Sequence, residues 1–262
     1  MVDILAEEHD IVARFNGGSN AGHTLKVGNF KFAFHLLPCG MLYPNKLNLI
    51  GNGVVIHIPA LFEELAQLDQ QKIDWHDRLI ISDRAHLTFK AHLAMDKMFE
   101  EKLFLGTTKR GIGPTYGLKS FRWGVRVGEL QNWSAFLEKY NRFNDFVEQT
   151  YGIKVNRQAE LAELKNYTDI LIRRKMIKDT VGLLHDALAH KRILTEGANA
   201  IMLDIDFGTY PYVTSSNTSV GAICTGLGIP PQRIESVLGV VKAYTTRVGE
   251  GPFPSELEGW EG

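Results

Sequence analysis

"IVARFNGGSNAGHTLKVG", residues 11–28, decides the fold. An apolar run, Ile11-Val12-Ala13, ends in glycines, amides and a hydroxyl crowded around one histidine. A short apolar run bounded by glycine reads as a strand opening into a loop. Two readings of the loop stay open. It is a turn between strands with a surface histidine, or it holds an anion. In the second case its glycines admit backbone N–H groups to close approach, and a following helix N-terminus adds partial positive charge. Spacing alone leans toward the turn, because the stretch matches no general phosphate-loop pattern.

Outward from this stretch, residues 30–37, 47–50, 54–58 and 79–81 are further short apolar runs separated by glycine, proline or asparagine, and all suit strands. Residues 60–68 follow Pro59, which is tolerated at a helix start, and Leu87, Ala91, Ala94, Met95, Met98 and Phe99 share one helical face. Strands alternating with helices imply an α/β fold, with a central, mostly parallel sheet flanked by helices. Residues 132–191 are charged, helical in pattern and poor in glycine and proline, which predicts a helical subdomain. The expected organisation is therefore 1–131 as the first part of an α/β nucleotide-binding domain, 132–191 as the helical subdomain and 192–262 as the continuation of the α/β domain. Residues 2–8 have helical spacing and no N-cap before them.

Composition narrows the function. The 262 residues are 44% hydrophobic, enough to fill a core, and the formal net charge is -1. So balanced a charge argues against broad binding to nucleic acid or to an acidic membrane, which needs a clustered positive field. The two cysteines, Cys39 and Cys224, carry no metal-ligand spacing and read as reduced thiols. Without a leader-like segment or a long apolar run, the expected location is cytoplasmic.

Two more stretches could carry chemistry. In "GTTKRGIGPTYGLKSFRWGVR", residues 106–126, the hydroxyls of Thr107 and Thr108 stand with Lys109, Arg110, Lys119, Arg122 and Arg126 among glycines. This is either a phosphate grip or a solvated basic turn. In "EGANAIMLDIDFGTYPYVTSSN", residues 196–217, Asp204 and Asp206 sit two apart, and on a strand they would face the same side. They are a metal pair or, the preferred reading, structural acceptors of backbone N–H groups. Asn199 could read a base edge, and Thr214, Ser215, Ser216 and Asn217 could bond to phosphate or ribose oxygens. The histidines other than His23 form no ligand-spaced set.

Taken together, these stretches resemble the adenylosuccinate synthetase family, GTP-dependent ligases that join IMP and L-aspartate in AMP biosynthesis. "GGSNAGHT" is similar to the family's "GGxNAGHT", and "GTTKRGIGPTYGLKSFR" to its "GTTxxGIGPxYxxKxxR". "EGANAIMLDIDFGTYPYVTSSN" and "VLGVVKAYTTRVGEGPFPSE" match further family blocks, in a form closer to the eukaryotic branch.

The resemblance implies roles residue by residue. His23 is the expected catalytic acid, and Gly22, His23 and Thr24 contact GTP. Asn20, Ala21, Gly22, His23, Thr108, Arg122, Asn199, Leu203, Thr214 and Val248 surround IMP. The Gly22 carbonyl helps to hold one Mg2+, and Arg122 reaches the IMP phosphate of a partner subunit, which implies a homodimer. The family's "WGDEGKGK" segment, with the aspartate that serves as base and main metal ligand, would precede Met1. On the order of 150 residues, a domain's length, would follow Gly262. The resemblance thus predicts an incomplete family fold that is inactive by itself. The alternative is a non-catalytic, IMP-binding and dimerising protein derived from the ligase.

Overall fold

The computed structural model describes residues 2–20, 22–27, 30–247, 249–253 and 255–256; for Asp3, the strand His23–Val27, Phe30 and Lys31 it describes the backbone alone. The strands are β1 (Ile11–Arg14), β2 (His23–Val27), β3 (Phe30–Phe34), β4 (Leu47–Ile50), β5 (Val55–Ile56), β6 (Leu79–Ser82), β7 (His86–Leu87), β8 (Ile177–Lys178) and β9 (Ile193–Glu196). The helices are α1 (Val2–Glu8), α2 (Ile58–Gln70), α3 (Lys90–Leu103), α4 (Ile112–Ser120), α5 (Trp133–Tyr151), α6 (Arg157–Arg173), α7 (Thr180–Ala187) and α8 (Gly221–Leu227).

β1 lies inside a five-stranded sheet of order β8-β6-β4-β1-β9 in which every pairing is parallel. Both faces are covered, which is why the strands read as continuous apolar runs rather than alternating ones. Ile11, Ala13, Phe15 and Leu49 pack against Leu184 and Ala187 of α7 and Ala222, Ile223 and Leu227 of α8. On the other face Ile50, Leu79 and Ile81 meet Leu61, Leu65 and Leu68 of α2, Met95 of α3, Phe136 and Phe143 of α5 and Leu171 of α6. Each fully buried Leu, Ile, Phe or Met among these contributes about 1.5–3 kcal/mol. The long helices start on side-chain caps: Asn132 accepts the Ala135 N–H at 3.2 Å, and Asn156 that of Ala159 at 3.0 Å.

The α/β expectation holds, and β4 has the expected bounds. Four local expectations are corrected. No helix follows the glycine loop: His23 opens β2, which pairs antiparallel with β3. The alternation Phe30-Lys31-Phe32-Ala33-Phe34 supplies the strand period. Leu87 belongs to β7, paired with Ile56, and not to the helix that begins at Lys90. The run expected at residues 54–58 is a strand only at Val55–Ile56, because α2 already starts at Ile58. Asp204 and Asp206 follow a short 3-10 turn, Ile201–Leu203, and lie on no strand.

Candidate functional site

In an open parallel sheet the ligand crevice lies beyond the carboxyl ends of the strands, at the point where strand order reverses. From β1 the chain steps outward through β4, β6 and β8 and then returns to the opposite side of β1 as β9. The reversal therefore falls at β1 and β9. Residues 15–20 leave β1 there, and residues 197–200 leave β9 beside them.

Asn16 fastens the two loops together. Its side-chain oxygen accepts the Ala198 N–H at 2.8 Å, and its amide donates to the Ala198 carbonyl at 3.1 Å and to the Asn217 carbonyl at 2.9 Å. Gly17, at φ +75°, needs glycine for its backbone; a Cβ there would also come within 2.8 Å of Ala198. Tyr116, from α4, accepts the Gly17 N–H at 3.0 Å and donates to the Gly53 carbonyl at 2.6 Å. Burial pushes its hydroxyl up to about 12, so it stays a donor. Ile112, the first residue of α4, touches Gly18 so closely that a Cβ would lie 2.5 Å from its methyl. The positive end of a helix therefore does flank the loop, but it belongs to α4 rather than to a helix following it.

A buried charged frame supports this loop. Arg14, 2% exposed at the end of β1, donates to the Gly18 carbonyl at 2.8 Å, to the Asn16 carbonyl at 3.3 Å and to the His35 carbonyl. Glu64 of α2 accepts the N–H groups of His35, Leu36 and Leu37 at 2.9–3.2 Å. Glu196, at the end of β9, accepts the Cys39 N–H at 2.8 Å. Burial draws the Arg14 guanidinium below its ordinary range, while the fields of Glu196 and Glu64 act the other way. Removing one member would leave buried charge without compensation.

Several expected site residues come together. Asn20 donates to the Thr214 hydroxyl at 3.1 Å and accepts the Gly18 N–H at 3.2 Å. The Thr214 N–H reaches the Leu203 carbonyl at 2.8 Å. Asn199, held at φ +71°, keeps its side-chain oxygen buried with no hydrogen-bond partner among the described residues. Gly22 is exposed. Thr108 and Arg122 are exposed on the two flanks of α4, and no side-chain hydrogen bond among the described residues ties either to the Asn20–Thr214 cluster. Ala21 and Val248 lie outside the described residues, as do the side chains of His23 and Thr24.

Asp204 is fully buried and accepts the N–H groups of Asp206, Phe207, Thr218 and Ser219 at 2.5–3.3 Å. Burial alone would raise its pKa, but the bonds from Asp206, Thr218 and Phe207 outweigh it and hold the carboxyl at about 2. Asn217 donates to Asp204 at 3.2 Å and to Asp206 at 2.6 Å. The pair thus organises residues 204–219, as the structural reading expects. No group of three His, Cys, Asp or Glu among the described residues could hold a metal ion.

Sequence reasoning missed Arg14, Asn16, Tyr116 and His35. Arg14 is hidden at the end of an apolar run. Tyr116 stands inside a quoted motif, where its hydroxyl carries no spacing signal.

The adenylosuccinate synthetase family model matches residues 1–262. The chain is 60% identical over 261 residues to the adenylosuccinate synthetase of Paramecium tetraurelia, covering 98% of this chain and 61% of the relative. It is 50% identical over 268 residues to that of Scheffersomyces stipitis, covering 98% and 62%. Among solved structures, fully ligated adenylosuccinate synthetase from Plasmodium falciparum superimposes with a TM-score of 0.91 at 46% identity, covering 96% of this chain and 60% of that one. The chain thus spans about three fifths of the length of the relatives it matches. No described helix is long and apolar enough to cross a membrane.

Proposed function

The chain belongs to the adenylosuccinate synthetase family, and from that premise we propose that its switch-point loops form the IMP site of a GTP-dependent ligase acting on IMP and L-aspartate. The observation that carries this reading is the 3.1 Å bond from Asn20 to Thr214, which joins the β1 loop to the loop system beyond β9 across 194 residues of sequence. Two polar side chains held together at a crevice form a recognition surface rather than a turn.

In this reading Asn20, Ala21, Gly22, Asn199, Leu203, Thr214 and Val248 surround the nucleotide. The buried oxygen of Asn199 accepts a hydrogen bond from it, and Leu203 supplies an apolar wall. Thr108 and Arg122 complete the phosphate end, with Arg122 serving the partner subunit of a homodimer. GTP lies against Gly22, His23 and Thr24. The chemistry asks for such residues: the 6-oxygen of IMP is a poor leaving group, and its phosphorylation by GTP gives 6-phosphoryl-IMP, from which the aspartate amine displaces phosphate. His23 is the general acid at the transferring phosphoryl oxygens. Mg2+, when bound, would neutralise phosphate charge. The Gly22 carbonyl would help to hold it.

Calorimetric titration of the chain with IMP tests the reading. Saturable one-site binding is expected, weakened by about tenfold, or about 1.4 kcal/mol, in Asn20→Ala. Absence of binding, or an unchanged affinity in Asn20→Ala, would overturn it.

A further inference from the structure

We infer that His35 is a positioning residue for Gly22, an inference that rests on the proposed role of Gly22 in the nucleotide site. Because His23 pairs with Phe34 across the β2–β3 ribbon, the next residue outward on each strand brings His35 level with Gly22. The contact is close. A Cβ built on Gly22 would lie 2.9 Å from both Cδ2 and Nε2 of the His35 ring, so the imidazole edge occupies the space where a side chain would stand.

His35 is held on three sides. Its N–H is accepted by Glu64 Oε2 at 3.1 Å, its ring Nδ1 lies 3.9 Å from Glu64 Oε1, and its carbonyl receives the Arg14 guanidinium. The same guanidinium donates to the carbonyls of Gly18 and Asn16. One buried cation therefore fixes the near end of the glycine loop and the strut that meets its far end. The His35 side chain is 41% exposed and Glu64 5%, so the ring stands at the surface of the crevice while its support is buried. Gly22 is consequently clamped between Asn20, which is tied to Thr214, and the His35 ring. That restrains the Gly22 backbone before any ligand arrives, a pre-organisation that spares ordering cost on binding.

The test is 15N relaxation of the 262-residue chain without ligand, followed by IMP titration. In the unaltered chain Gly22 should have an order parameter near 0.85, typical of rigid backbone; His35→Ala should lower it below about 0.6 while leaving β1 and β4 and the melting temperature unchanged. His35→Gln, which keeps a planar group at the same place, should restore most of the order. An already flexible Gly22, no change in His35→Ala, or failure of His35→Gln to rescue would each overturn the inference. If the unaltered chain takes up no IMP, the reading of the nucleotide site falls, while the relaxation comparison still decides the role of His35.

Discussion

Residues 15–20 and residues 235–246 are both short of regular secondary structure, yet they are built oppositely. In the first, every glycine is hemmed in: a Cβ on Gly18 would meet Ile112 at 2.5 Å, and one on neighbouring Gly53 would meet the Phe15 carbonyl at 2.1 Å. In the second, a Cβ on Gly239 would meet nothing within 4 Å, and Val237, Leu238, Val240, Val241 and Tyr244 are 62–91% exposed. Residues 237–244 of the second segment are as rich in apolar residues as β1. Composition therefore does not decide which segment is fixed. Partners do: Asn16 bonds to Ala198 and to Asn217, Gly17 to Tyr116, and Arg14 links the first segment to His35, whereas the side-chain bond within the second, from Lys242 to Thr246, is local and the next anchor is Arg247, which donates to Thr209 and Tyr212.

The contrast can be broken most forcefully at Arg14. Arg14→Met removes the cation between Glu64 and Glu196 and should cost about 3–5 kcal/mol, read as a shifted urea midpoint. A loss under about 1 kcal/mol would mean that the frame does not hold the loop.

A second test sharpens what burial does. His92 is fully buried, its ring stacked 4.5 Å from Phe143 and its Nδ1 accepting the Phe89 N–H at 2.9 Å. Burial lowers its pKa from 6.5 to about 3, and burial lowers His57 and His86 to about 4. A lowered histidine favours the neutral folded form, so its contribution is present above pH 6.5 and is lost as pH falls toward the folded value. Stability should decline between pH 6.5 and about 4, each such group contributing a slope of up to about 1.4 kcal/mol per pH unit. His92→Gln keeps an acceptor for Phe89 and removes one titration, so its acid limb should be shallower. An unchanged slope in pH-dependent urea melts would contradict the assignment.

The smallest effect belongs to the exposed segment. Val241→Ser, at a residue 91% exposed, should change stability by less than about 0.5 kcal/mol. A loss comparable to that of Arg14→Met would show that the segment is packed and erase the contrast.

Strands β1, β4 and β6 were legible because a two-sided parallel sheet writes short apolar runs, and the helical stretch that holds α5 and α6 because residues 132–191 are charged, helical in pattern and nearly free of glycine and proline. β2 was not, since its His-Thr-Leu-Lys-Val follows a glycine cluster and takes its strand character from pairing with β3. At the site, the glycines and amides of residues 17–22 mark a special loop, and the resemblance names Asn20 and Thr214, which the fold brings into contact. Neither could reveal Arg14 or His35. Arg14 acts through three carbonyls and His35 through the space it fills beside Gly22, and both are properties of the assembled chain.

The most direct test of the nucleotide site is an IMP titration followed residue by residue in the backbone amide spectrum. Saturable shifts are predicted at Asn20, Gly22, Asn199 and Thr214 with a single shared affinity, while residues 237–244 stay unmoved. Shifts confined to residues 237–244, or none at any of the four site residues, would contradict the account.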